Sequence, residues 1–152
     1  MNNRRKFITL LSGAAAWPFA ARAQRPERMR RIGVFMNLAA DDPEGQARLA
    51  SFHQGLQQLG WVIGRNVRID YRWGVRDRAN NRVAASELVG LAPDVILAAG
   101  GAIESVHEAT STVPIVFAGV IDPVGRGVVA SLARPGGNAT GFTRLNLPSA
   151  GN

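Results

Sequence analysis

The sequence predicts an α/β protein built on a doubly wound parallel sheet. Three observations lead there. Four short runs rich in β-branched and apolar residues (31–38, 67–73, 93–101 and 114–120) alternate with segments whose apolar residues recur at helical spacing. All but the second of these runs are apolar almost throughout, the pattern of strands covered on both faces. The segments between them can hold helical crossovers, and right-handed crossovers on a parallel sheet place helices on both its sides.

The elements follow in order. RIGVFMNL (31–38) is the first strand. Asp42 is placed to cap the next helix, with Pro43 at its first position and Glu44 near the positive end of the helix dipole. Leu49, Phe52, Leu56 and Leu59 then mark one face, and Gly60 ends the helix. VRIDYRW (67–73) alternates, with Val67, Ile69, Tyr71 and Trp73 on one face against Arg68, Asp70 and Arg72 on the other, which predicts a strand near a sheet edge. A second helix is expected over about 77–90, capped by Asp77 and using Val83, Ala84 and Leu88. PDVILAAGG (93–101) is the third strand, about 102–111 the third helix, and PIVFAGV (114–120) the fourth strand. A fourth short helix is expected over about 125–133, stopping before Pro135-Gly136-Gly137, and a fifth strand at 140–144.

The start of the chain reads as an address. Residues 1–23 hold a basic start (Arg4, Arg5, Lys6), an apolar stretch from Phe7 to about Ala21, and the small-x-small site Ala21-Arg22-Ala23, with cleavage expected before Gln24. The stretch is short, rich in Gly and Ala and broken by Pro18, which does not suit a membrane anchor. The Arg4-Arg5 pair points to the twin-arginine route, with an ordinary secretory signal as the alternative. The mature protein is expected to be soluble and periplasmic, since no Cys is present to carry a lipid. Residues 24–30 are expected to be a linker, 31–144 the α/β lobe.

Composition removes several function classes. The formal charge is +7, but Arg4, Arg5, Lys6 and Arg22 lie in the first 23 residues; removing these four from 18 leaves 14 basic against 11 acidic residues, a balance of +3. The remaining arginines are dispersed, apart from a group at Arg25, Arg28, Arg30 and Arg31 assigned mainly to the linker, so no nucleic-acid partner is expected. The lack of Cys excludes disulfides and thiolate chemistry, and His53 and His107 have no carboxylate or second His at metal-ligand spacing.

In such sheets a ligand binds beyond the carboxyl ends of the strands. Here these ends are Asn37–Asp42, Ala99–Ala102 and Gly119–Asp122. The first loop, NLAADDPEG, lacks both G-x-G-x-x-G and a P-loop Lys, and its acidic residues repel phosphate, so no nucleotide cofactor is expected. Those acids suit an amine, or Asp42 serves as a cap alone. Gly100-Gly101 opens a helix, where bare amides can hold a carboxylate or phosphate, or the glycines only make a tight turn. Asp122-Pro123 is either a turn or part of a site. No serine has a nucleophile-elbow context and no paired carboxylates sit at catalytic positions, so an enzyme is not expected.

Four stretches carry a resemblance over nearly the whole chain: RRKFITLLSGAAAWPFAARAQ, LGWVIGRNVRIDYRW, ELVGLAPDVILAAGG and TSTVPIVFAGVIDPVGRGVVASLARPGGNATGFT, with DPVGRGVVASLARPGGNATGFT the most specific part. They resemble the substrate-binding proteins of ABC transporters of the tryptophan/tyrosine type, which are similar to type I periplasmic binding proteins: two α/β lobes joined by a hinge, closing on a small ligand. The resemblance implies a solute-binding component of an ABC importer, with a small organic ligand (an amino acid among the candidates) and an inner-membrane ABC permease as partners. A periplasmic ligand-sensing module serving a membrane receptor or kinase is the alternative. The resemblance implies a ligand held against Asn37, Gly100-Gly101-Ala102 and Val120-Ile121-Asp122, the amides near Gly101 and Ala102 receiving an amino acid's carboxylate. Gly101 stands where many relatives carry a hydroxyl-bearing residue. Relatives continue into a second lobe, so 145–152 is expected to be a truncated crossover and the chain the N-terminal lobe.

Overall fold

The structure is a computed structural model that describes residues 28–74 and 77–144. The expected export signal with Ala21 and Ala23, residues 24–27 of the expected linker and the segment 145–152 lie outside the described residues.

The elements are β1 (Arg30–Met36), α1 (Pro43–Gln58), β2 (Val67–Trp73), α2 (Arg78–Gly90), β3 (Val95–Ala99), α3 (Ala102–Ala109), β4 (Ile115–Val120) and β5 (Ala139–Thr143). All strand pairs are parallel, in the order β2-β1-β3-β4-β5. The doubly wound parallel α/β sheet is therefore present, and β2 lies at its edge, as the alternation of VRIDYRW predicts.

The strand order decides which face each crossover occupies. The step from β1 to β2 runs in one direction along the sheet and every later step runs in the other. Right-handed crossovers then put α1 alone on one face and α2, α3 and the β4–β5 connection together on the opposite face. The packing agrees. Phe35, Ile96, Ala98, Ile115 and Phe117 point to the crowded face, where they meet Leu88 of α2, Ile103 and Val106 of α3, and Val128 and Val129 of the connection. Val34, Met36 and Ala99 point to the other face and meet Leu49 and Phe52 of α1. Each large side chain fully buried in the first cluster removes enough apolar surface from water to contribute about 1.5–3 kcal/mol.

Local chemistry sets the ends of the helices. Asp42 caps α1, its carboxylate accepting from the amides of Glu44 at 2.8 Å and Gly45 at 3.1 Å, with Pro43 at the first turn. Gly60 follows at φ +83°, and its amide reaches Gln57 O. Asp77 caps α2 through the amide of Ala79. At the far end of α2 the glycine is the last helical residue, and Ala92 takes the left-handed position at φ +52°. α3 stops at Ala109 rather than at 111. Thr110 is extended at φ −151°, and its hydroxyl accepts from the amides of Thr112 and Val113.

The fourth helix expected over about 125–133 does not form. Residues 121–138 run instead through turns. Asp122 has φ +51° and its carboxylate accepts from the amide of Gly125 at 2.9 Å. Gly127 then takes φ +70°, while the amides of Val128 and Val129 both reach back to Pro123 O. Two glycines and two adjacent β-branched valines disfavour a helix, and Val128 and Val129 are buried from turns instead.

Arg28, Arg30 and Arg31 are held by ion pairs and hydrogen bonds. Arg30 opens β1, and Arg28 and Arg30 approach the Asp94 carboxylate at 3.6 and 3.3 Å. Arg31 joins three elements. Its Nε donates to Asp70 of β2 at 2.6 Å, its Nη1 donates to Leu91 O at 2.7 Å, and its amide donates to Asp94 at 2.8 Å. The Arg31 hydrogen bond holds the Asp70 carboxyl below the usual carboxylate range.

Candidate functional site

A cavity of about 700 Å³ opens at the carboxyl ends of β1, β3 and β4 and runs down the α1 side of the sheet. Its upper part is made of loop residues, its lower part of sheet and helix side chains.

The upper part brings together most of the residues selected from sequence. Asn37 follows β1 and lines the cavity together with Gly100, Gly101 and Val120. The Asn37 side chain lies over Gly100, so close that a Cβ on Gly100 would stand 2.5 Å from Asn37 Nδ2. Gly100 is also at φ +52°, and its amide continues the ladder to Ala118 O at 3.0 Å. Glycine is therefore required here twice, by conformation and by space. Gly101 forms the N-cap of α3 with no side-chain cap, and a Cβ there would meet nothing within 4 Å. The start of α3 thus faces open space with a positive dipole end, which favours an anionic group.

The remaining selected residues take other positions. Ala102 is buried in the core between sheet and α3, so it can offer a ligand its amide but not its methyl group. Val120 lies in the cavity wall with its own side chain buried. Asp122 does not line the cavity; its carboxylate is turned into its own loop toward Gly125. Asp42 is likewise engaged as the cap of α1.

Three arginines line the cavity that sequence reasoning did not select: Arg48, Arg126 and Arg144. No carboxylate side chain is among the lining residues. Arg126 is held in place, its Nε donating to Ile121 O at 2.9 Å and its Nη1 pairing with Glu104 in the first turn of α3. It ties the β4–β5 connection to the same helix end that Gly101 opens. Arg48 pairs with Glu44 one turn earlier on α1. These three are far apart in sequence and share no pattern. Only the sheet topology gathers them.

Among the described residues no group of three or more His, Cys, Asp or Glu could hold a metal ion. No described helix is long and apolar enough to cross a membrane. The strongest perturbed acid, Glu108, lies elsewhere: hydrogen bonds from Arg82 and Arg78 lower its carboxyl to about 2, and the trio joins α2 to α3. Asn138, which opens a glycosylation-type triplet, uses its side-chain amide internally, donating to Thr110 O and Val113 O.

The chain is similar in sequence and fold to known proteins. A tyrosine-binding protein of Clostridioides difficile is 29% identical over 116 residues, which are 76% of this chain and 33% of that protein. The crystal structure of a conserved domain protein from Vibrio cholerae superposes with a TM-score of 0.72 at 31% identity, covering 78% of this chain and 40% of that one. A domain from Streptococcus pneumoniae solved in complex with L-Trp superposes with a TM-score of 0.69 at 26% identity, covering 75% and 38%. The chain thus spans about a third to two fifths of the length of these relatives. The family described as ABC transporter substrate binding protein matches residues 33–148, and the chain belongs to it.

Proposed function

We propose that residues 31–144 form the first wall of the ligand cleft in a solute-binding component of an ABC importer, working in the periplasm and delivering a small organic ligand to an inner-membrane permease. The observation that carries the reading is the meeting of three strand ends at the uncapped start of α3, in a protein of this family. The ligand we favour is an amino acid. Its carboxylate would lie at the Gly101 and Ala102 amides, where the helix dipole and the Arg126 guanidinium both favour negative charge. Asn37 would offer a side-chain amide across from Gly100. The ammonium needs an anionic or carbonyl partner, and the Asp122 carboxylate is turned away from the cavity, so we assign that contact to a second lobe reached across a hinge beyond β5. The tyrosine-binding relative and the L-Trp complex support an aromatic amino acid as ligand. Residues 1–23 would be the export signal, removed after Ala23.

One wall makes only part of the contacts and leaves the ligand wet, so the chain alone is expected to bind weakly, with a Kd near ~1 mM. Saturation-transfer NMR with L-tryptophan, L-tyrosine and a panel of other amino acids tests the reading. Transfer to an aromatic amino acid, at millimolar ligand and displaceable by a second one, is expected. A folded chain silent toward every amino acid contradicts the ligand class. A micromolar affinity for the single lobe contradicts the need for a second wall.

A further inference from the structure

Among the described residues, Arg126 is the one cavity arginine fixed at several points. Its backbone belongs to a tight turn. The Arg126 amide donates to Asp122 O at 3.1 Å, and a Cβ on Gly125 would stand 2.1 Å from the Asp122 carboxylate. Its side chain is then held from two sides, Nε donating to Ile121 O at 2.9 Å and Nη1 to the Glu104 carboxylate. Arg48 has a single tether to Glu44, and the Arg144 side chain bonds to none of the described residues. Glu104 does not line the cavity, although Arg126 does. It stands three residues after Gly101, so it ties the guanidinium to the first turn of α3, roughly 5 Å along the axis from the opening amides. No described residue accepts from Nη2 of Arg126.

We propose, resting on the reading of the cleft given above, that Arg126 is the residue by which this wall selects a carboxylate, and that Glu104 is its positioning residue. Nη2 donates to one carboxylate oxygen of the ligand while the Gly101 and Ala102 amides take the other. The donor stays protonated at any working pH, and its bond to an anion is charge-assisted. A free arginine loses much rotamer freedom when it binds. Ile121 O and Glu104 have already removed that freedom, so the contact is preorganised. Glu104 acts through Arg126 alone and does not touch the ligand.

The test titrates the purified chain with L-tryptophan and with L-tryptophanamide, which keeps the ring and the ammonium but lacks the carboxylate. Backbone amides and the Arg126 Nε–H signal are followed by NMR, and stability by urea denaturation. The wild-type chain is expected to prefer L-tryptophan by ~10-fold. Arg126→Gln is expected to abolish that preference and leave the amide's affinity unchanged. Glu104→Gln keeps the arginine charge but frees the side chain; it is expected to cut the preference to ~3-fold at unchanged stability. Arg126 and Glu104 are 43% and 39% exposed, so both variants are expected to fold. Full preference in Arg126→Gln overturns the proposal and leaves the cleft reading standing. Full preference in Arg126→Lys does the same, because a point charge would then suffice without the held fork. Full preference in Glu104→Gln, or a loss of preference matched by a loss of stability, overturns the positioning role. A folded wild-type chain silent toward every amino acid removes the cleft reading and this proposal with it.

Discussion

Single residues set the shape of the cleft at two points. Gly100 sits at φ +52° beneath Asn37, and Gly100→Ala would place a methyl carbon 2.5 Å from Asn37 Nδ2. Asn37 must then swing away, and an L-residue is held left-handed. The variant is expected to lose about 1–2 kcal/mol of stability in urea denaturation and to weaken any ligand contact made by Asn37. Ala92 is the converse case. It occupies the left-handed position after α2 without being glycine, so Ala92→Gly is expected to raise stability by roughly 0.5–1 kcal/mol in the same assay. Sequence reading picked Gly100 and Gly101 from their place at a strand end. It did not pick Ala92, because a helix-forming residue gives no sign of positive φ, and it gave no sign that the Asp122 carboxylate accepts from the Gly125 amide.

At the scale of elements, the joints between neighbours carry the predictions. β5 is held against β4 with Gly141 pressed on Phe117: a Cβ at 141 would stand 2.0 Å from the Phe117 carbonyl oxygen. Gly141→Ala is expected to cost about 3 kcal/mol or more and to raise amide exchange along β5 before the rest of the sheet. The joint between α2 and α3 is ionic. Hydrogen bonds from Arg82 and Arg78 hold the Glu108 carboxyl at about 2, below its ordinary value of 4.5. A carboxyl depressed in the folded state contributes stability that is present above its unfolded pKa and lost as pH falls through the folded one. Stability is therefore expected to fall between about pH 4.5 and 2, and Glu108→Gln to flatten that acid limb; the trio is partly exposed, so the effect is modest and shrinks with salt. Strands and the first three helices were legible because their periodicity and capping residues agree. The fourth helix expected over about 125–133 is absent because that short span holds Gly125 and Gly127, the latter at φ +70°, and its valines pack from turns.

The whole molecule turns on topology, the scale at which sequence says least. Alternation of strands and helices indicates a parallel sheet, but only the order β2-β1-β3-β4-β5 leaves α1 alone on its face. That order gathers Arg48, Arg126 and Arg144, dispersed in sequence, around one cavity. It also leaves the β4–β5 half of the α1 face less buried than the rest of the sheet, with Phe142 exposed. The central claim is that the loops after β1, β3 and β4 hold the ligand. Amide-resolved NMR of the chain during titration with L-tryptophan tests it most directly. Shifts are expected to concentrate at Asn37, Gly100, Gly101, Ala102 and Gly119–Ile121. Shifts confined to the opposite end of the sheet, around Trp61 and Asn66, would contradict it.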